Sequence, residues 1–444
     1  MTPASFQKKK EALAAQLSAG SGPVGLRKET SNLFRDRVPG ARRRLDVRNF
    51  VDVLEVDAAA GWVEAEGMVS YEALVEACLA QGVMPAVVPQ LKTITLGGAV
   101  AGVGIESSSW REGLVHDTVQ EIEVLLGDGR VVTAAPHNEH AALFFGFPNS
   151  YGTLGYALRV KAKVIPVKPY VRLEHLRFRD YRSYFGALGE ILGAGGIDFV
   201  DGTVFEPGRM FLTLGRFAAS APYTSDYTFE KIYYRSIAER SEDYLTIKDY
   251  LWRWDTDWFW CSKNVAAQNW FFRRFVYGRE KLGSKTYTRI MRWNSRAGVT
   301  KKLERVLGLH SESVIQDVDI PLARAAEFAE FYAREIALWP QWVCPIGPGT
   351  HRFTLYPLRS GAYVNFGFWD VKRTREAHAP GHFNRLVENK VTELGGIKSL
   401  YSDSFFPQEE FARLYGGSAY GELKRRYDAA GAFPGLYEKC VLRE

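Results

Sequence analysis

The chain has 444 residues, 46% apolar and 24% charged, which is enough for more than one hydrophobic core and excludes extended disorder. Its four cysteines, Cys78, Cys261, Cys344 and Cys440, stand far apart without CxxC spacing, which excludes a disulfide framework or a zinc site and fits a reducing cytoplasm. No apolar run reaches the ~18 residues of a spanning helix, and the net charge of +6 makes the protein only mildly basic.

Residues 5–17 read as a short basic helix, stopped by Gly20 to Pro23. Basic clusters at 8–10, 42–44, 273–274, 301–302 and 425–426 suit an anionic surface together, though each alone reads as a solvated face. Residues 50–56 read as a strand and 62–66 as its partner. Ser70 is placed to N-cap a helix over 71–80, with Gly82 beyond its end. An apolar run at 83–88 precedes PQLKTITLGGAVAGVGIESSS at 89–109. Residues 118–126 and 130–134 form a hairpin across Gly127, Asp128 and Gly129. A helix or turn near 139–145 leads to a second glycine-rich turn, NSYGTLG at 149–155, and 158–165 closes as a strand. Beyond a boundary at 166–169, strand-like stretches at 171–178, 199–205 and 210–217 precede a crowd of aromatics over 244–272. Helical spacing at 321–338, strands at 353–358 and 363–368, and a helix over 384–394 complete an α+β reading.

Glycine lets backbone approach a ligand, and successive N–H groups in such turns form anion-binding concavities. Two glycine-rich turns one sheet unit apart suggest a cradle for a large phosphate-bearing cofactor, with purely structural turns as the alternative. Gly102-Val-Gly104-Ile-Glu-Ser107 fails as a dinucleotide fingerprint, because serine replaces the third glycine and a hairpin follows. His137 with His140, and His378 with His382, lack metal-ligand spacing, so no metal is expected. The stretch YLWRWDTDWFW at 250–260 sets Arg253, Asp255 and Asp257 among aromatics. It reads as core with its charges at a solvent edge, or as a pocket wall with those charges near a reacting centre. Stacking on nucleic acid is disfavoured, since two aspartates would repel phosphates.

In chain order, the 89–109 stretch, Gly113 with Asp117, the Gly127 to Gly129 turn, Leu143-Phe144 and Tyr151-Gly-Thr-Leu-Gly155 resemble the FAD-binding half of vanillyl-alcohol-oxidase-type flavoproteins, with their PCMH-type FAD-binding domain. Trp339-Pro-Gln-Trp-Val-Cys-Pro345, Leu400-Tyr-Ser-Asp403, Glu409-Glu-Phe411 and Ala432-Phe-Pro-Gly-Leu-Tyr437 resemble segments of the Δ24-sterol reductase branch. Thr30-Ser-Asn-Leu-Phe-Arg35 and Phe147-Pro-Asn-Ser150 are similar to bacterial members that reduce methylene-branched acyl chains of phospholipid.

The resemblance implies a two-part FAD-binding domain over 1–169, an α+β substrate cap over 170–400, and a C-terminal segment, 401–444, returning to the FAD domain. It implies FAD held by Thr93, Thr95, Leu96, Gly97, Gly98, Gly102, Gly104, Ile105, Glu106, Ser107, Ser108, Gly113, Asp117, Gly152, Thr153 and Gly155. The histidine that links flavin covalently in such proteins has no counterpart before Pro89, so non-covalent FAD is expected. NADPH is the implied electron donor and a SAM-dependent methyltransferase the implied partner. The animal enzymes' membrane anchor has no counterpart, so the expected location is cytoplasmic, with any contact to the inner face of the membrane peripheral.

The implied reaction is reduction of a methylene-branched acyl chain to the methyl-branched one. Desaturation of methyl-branched chains and reduction of a sterol side-chain Δ24 bond are the alternatives; a flavin-free interaction protein is disfavoured by the intact glycine turns. An unconjugated alkene has no oxygen to carry negative charge, so protonation leads and a strong general acid is needed in an apolar pocket. Asp255, Asp257, Asp403 and Tyr401 are the candidates, with Arg253 beside them.

Overall fold

The computed structural model describes residues 3–20, 22–29, 34–35, 42–297, 308–347, 353–359 and 361–444; Thr30 to Leu33 and the Lys301–Lys302 cluster lie outside them. A helix at Pro3–Ser18 leads into Val24–Arg27 (β1), which pairs in parallel with Arg43–Asp46 (β2). Val53–Asp57 (β3), Trp62–Glu66 (β4), Val83–Pro85 (β5), Val119–Leu125 (β6), Val131–Ala134 (β7) and Tyr156–Pro166 (β8) build the first large sheet. Its order is β3-β4-β8-β6-β7, with β5 also on β8. The long β8 alternates buried and partly exposed residues and holds three neighbours.

Local chemistry explains several of these elements. At the β6–β7 turn Gly129 takes φ +90° and Asp128 Oδ1 accepts the Arg130 N–H at 3.0 Å. Ser70 Oγ accepts the Ala73 N–H at 3.3 Å and starts the helix Tyr71–Leu79. The glycine stretch holds a six-residue helix, Leu96–Ala101, which its glycine content hides from propensity.

The second sheet runs from Tyr170–Phe178 (β9) through Phe199–Glu206 (β10), Arg209–Ala218 (β11), Glu242–Thr246 (β12), His310–Pro321 (β13), Gln341–Ile346 (β14) and Tyr363–Thr374 (β15) to Ile397–Lys398 (β16). Its order is β12-β9-β11-β10-β14-β15-β13-β16. Helices Tyr181–Ala194, Ala325–Glu335 and His382–Glu393 cover one face through Tyr184, Leu188, Phe328, Tyr332 and Val387. A separate core joins the first sheet to Trp254, Trp260 and the C-terminal Phe411 and Leu436.

The C-terminal residues grip the second glycine turn directly. Lys439 Nζ donates to the Tyr151 carbonyl at 2.5 Å and Lys424 Nζ to the Thr153 carbonyl at 3.1 Å. Residues 353–358, expected as a strand, are irregular instead. Their backbone groups are taken by the helix Ala141–Gly146 and the second glycine turn: Thr354 N–H donates to the Phe145 carbonyl, and Asn149 Nδ2 donates to that of Leu355.

Candidate active site

Between the two sheets lies a cavity of about 460 Å³. One wall is the pair of glycine turns, where Thr95, Gly97, Gly98, Gly102, Gly104, Ile105, Gly152 and Gly155 face the space. Left-handed backbone clusters there, at Val103 (φ 60°), Asn149 (61°), Tyr151 (50°) and Gly152 (77°). Strained conformations of this kind concentrate at ligand clamps. The other wall is aromatic, with Trp258, Phe259, Trp342 and Trp369, and carries Asp317 and Asp319 among its carboxylates.

Packing also requires two of these glycines. A Cβ on Gly97 would lie 2.8 Å from the Gly67 carbonyl oxygen, so this glycine lets the helix Leu96–Ala101 touch the backbone just after β4. Gly155, at φ +140°, would place a Cβ 2.5 Å from Val124 Cγ1 and 2.7 Å from the Leu125 carbonyl oxygen. Gly155→Ala combines overpacking with a forbidden backbone, so it should cost about 3 kcal/mol or more and strip the cofactor. Thermal melting and flavin-to-protein stoichiometry measure both; an alanine variant that melts normally with full flavin would refute the assignment.

The remaining expected cofactor residues sit behind this wall. Leu96, Glu106, Ser107, Ser108 and Thr153 are buried and Thr93 is partly exposed; none lines the cavity. Ser108 Oγ donates to the Ala86 carbonyl, and Ser107 Oγ bonds Glu106 and the Tyr250 hydroxyl. Asp117 accepts the Leu114 N–H and packs on Gly113, fixing the turn before β6. These residues shape the turns rather than touch the space.

The charged run 253–257 is the main correction. Arg253, Asp255 and Asp257 are buried, lie neither on a solvent edge nor on the cavity wall, and are committed to other partners. Arg253 Nη2 bridges Glu106 Oε1 at 2.9 Å and Asp201 Oδ2 at 2.8 Å, tying the glycine stretch to β10. Asp257 holds Arg273 through both oxygens at 2.7 and 3.0 Å. Asp255 accepts from the Lys92 N–H and the Ser284 hydroxyl. Asp403 lies 3.5 Å from Arg443 and also misses the cavity wall. A sequence shows charges among aromatics identically whether they face a ligand or one another.

Tyr401 does line the cavity, beside a group missed in the sequence. Asp317 and Asp319 share a face of β13, opposite Gly367 and Asn365 of β15. Asp317 is partly exposed and lines the cavity. Burial pushes its carboxyl up to about 7, the neighbouring Asp319 adds to this, and a hydrogen bond from Tyr401 opposes it. Its Oδ1 has no hydrogen-bond partner among the described residues, which also favours the neutral acid. A Cβ on Gly367 would lie 2.6 Å from that oxygen, so only glycine leaves the carboxyl its place. Trp369 Nε1 donates to the Tyr401 hydroxyl at 2.7 Å, leaving the phenolic proton for Asp317. Asp319, lifted by burial to about 6, accepts from Asn365 Nδ2 at 2.8 Å and the Tyr356 hydroxyl at 2.7 Å.

Residues 12–135 match the model of an FAD binding domain, and that span ends just after β7, two strands beyond the first glycine turn. The pea Δ24-sterol reductase is 25% identical over 89% of this chain and 76% of its own length. The rat Δ24-sterol reductase is 26% identical over 88% of this chain and 76% of its own. The chain is an FAD-linked oxidoreductase, similar along most of its length to Δ24-sterol reductases. Cytokinin dehydrogenase 10 of rice is 24% identical over only 34% of the chain.

The cavity of this flavoprotein fits FAD in kind. Left-handed turns offer backbone along one side, and aromatic and apolar side chains enclose the other. Thr95, Gly98, Gly102, Ile105 and Gly152 are the residues that would hold it. Among the described residues no helix is long and apolar enough to cross a membrane.

Proposed function

We propose that this flavoprotein reduces an isolated carbon–carbon double bond in a lipid, with a sterol side chain as the favoured substrate and Asp317 as proton donor. One observation carries the reading: an acid with a pKa of about 7 lines a cavity between the glycine turns and a cluster of aromatic rings. FAD held by Thr95, Gly98, Gly102, Ile105 and Gly152 would supply the hydride once reduced, with NADPH as the electron source.

The protein's own groups supply the rest. Asp317 holds a proton close to neutrality and can give it to one alkene carbon, which leaves cationic character on the other. Phe259 and Trp369, with ring centroids 4.4 Å apart, and Trp342, 5.6 Å from Phe259, present π-faces that stabilise such a cation and exclude water. Tyr401, fixed by Trp369, hydrogen-bonds the Asp317 carboxyl and orients it.

The sterol reading replaces the methylene-acyl expectation as the first choice, because the Δ24-sterol reductases align with nearly nine-tenths of this chain. The acyl reading and its methyltransferase partner stand second. Chemically reduced holoprotein offered a Δ24-unsaturated sterol and a methylene-branched phospholipid separates them, with products read by mass spectrometry. Saturated sterol is the expected product. Saturation of the phospholipid alone would restore the acyl reading, and saturation of neither would overturn the reductase assignment.

A further inference from the structure

Seven of the ten exposed large apolar side chains among the described residues lie between Trp270 and Trp293. Trp270 is 68% exposed, Phe275 62%, Phe271 55% and Trp293 63%, values that no core requirement explains. The first three form one cluster, with Phe275 5.6 Å from Trp270 and 5.2 Å from Phe271 between ring centroids. The fold holds them outward deliberately, because Arg273 between them is buried on Asp257 and anchors the turn.

The same stretch concentrates charge. Residues 270–297 contain eight arginines and lysines against a single glutamate, which exceeds the +6 of the whole chain. Arg274, Arg279 and Lys285 reach Glu230, Asp226 and Glu72, but these pairs are exposed and weak. Lys281 and Arg289 are exposed as well. Aromatic side chains projecting from a basic rim are the chemistry of an interfacial element that lies in an anionic membrane surface.

The patch also meets the cavity. The helix Ser284–Ala297 carries Met291, which is 38% exposed and lines the cavity, and Tyr287, which lines it one turn earlier. Val265, also on the wall, accepts the Tyr277 hydroxyl from the end of the aromatic turn.

We propose that Trp270, Phe271, Phe275 and Trp293, with their basic rim, dock this protein on an anionic lipid bilayer and set the cavity mouth at Met291 against the membrane. A second copy of the chain is a poorer occupant, because a self-complementary contact would oppose two strongly basic surfaces. The orientation rests on the lipid-substrate reading, but docking is read without turnover, so either can fail alone.

The test is flotation of the full FAD-loaded chain with phosphatidylglycerol–phosphatidylcholine vesicles and with phosphatidylcholine vesicles. Binding is expected on the anionic vesicles, falling roughly tenfold at high salt or without the anionic lipid. The triple variant Trp270→Ser, Phe271→Ser, Phe275→Ser should lose about tenfold or more while keeping its flavin. Should that variant misfold, quenching of wild-type tryptophan fluorescence by brominated lipid gives the same answer. Failure of the wild type to bind, unchanged binding of a folded variant, or a dimer that the triple substitution dissociates would each overturn the proposal.

Discussion

Asp317→Asn is expected to lower double-bond reduction by about three orders of magnitude with FAD still bound, because the amide keeps the shape but cannot give up a proton. The wild-type rate should fall as pH rises through about 7, where the acid ionises. The same group makes a stability prediction. Its folded pKa lies above that of an unfolded aspartate, so the native state binds the extra proton between about pH 4 and 7. Its contribution is therefore fully present below the ordinary carboxylate range and is lost as pH rises towards 7. Above pH 7 the fold carries a buried charge, and Asp317→Asn should melt higher than wild type at pH 8 but not at pH 4. A variant that reduces substrate normally, or a rate that does not fall in alkali, would remove Asp317 from the chemistry.

Arg253→Met has the largest expected effect on the fold. It leaves Glu106 and Asp201 buried without their cation, a change that costs about 3–5 kcal/mol against a typical total of roughly 5–15. The Glu106 carboxyl is already pushed up by burial, with Arg253 the main opposing influence. Protonation will relieve part of the loss, so the variant should be least stable at alkaline pH. Because the bridge ties the glycine stretch to β10, flavin occupancy should fall together with melting temperature. Adding Glu106→Gln should recover part of both, which a double-mutant cycle measures. A single variant that melts within a degree or two of wild type would show the bridge to be dispensable.

The hairpin around Gly127 to Gly129, the Ser70 cap and the two glycine turns were legible in the sequence because each is decided by residues a few positions apart. The proton donor was not. Asp317 becomes an acid through burial, in a place set by Gly367 on the paired strand and Tyr401 further on, partners no local spacing reveals. A signal was present all the same: Asp317 and Asp319 alternate with Val318 and Ile320, which puts two carboxylates on one face of an otherwise apolar strand end. Arg253, Asp255 and Asp257 drew attention by standing among aromatics, and the fold spends all three on buried pairs and hydrogen bonds.

The central claim, lipid double-bond reduction with a proton from the cavity wall, is tested most directly in deuterated water. Chemically reduced holoprotein is mixed anaerobically with a Δ24-unsaturated sterol, and the product is analysed by mass spectrometry and NMR. The account predicts flavin reoxidation matched by saturated sterol, with solvent deuterium at the protonated carbon, and loss of both in Asp317→Asn. Flavin that stays reduced with the sterol unchanged would contradict it.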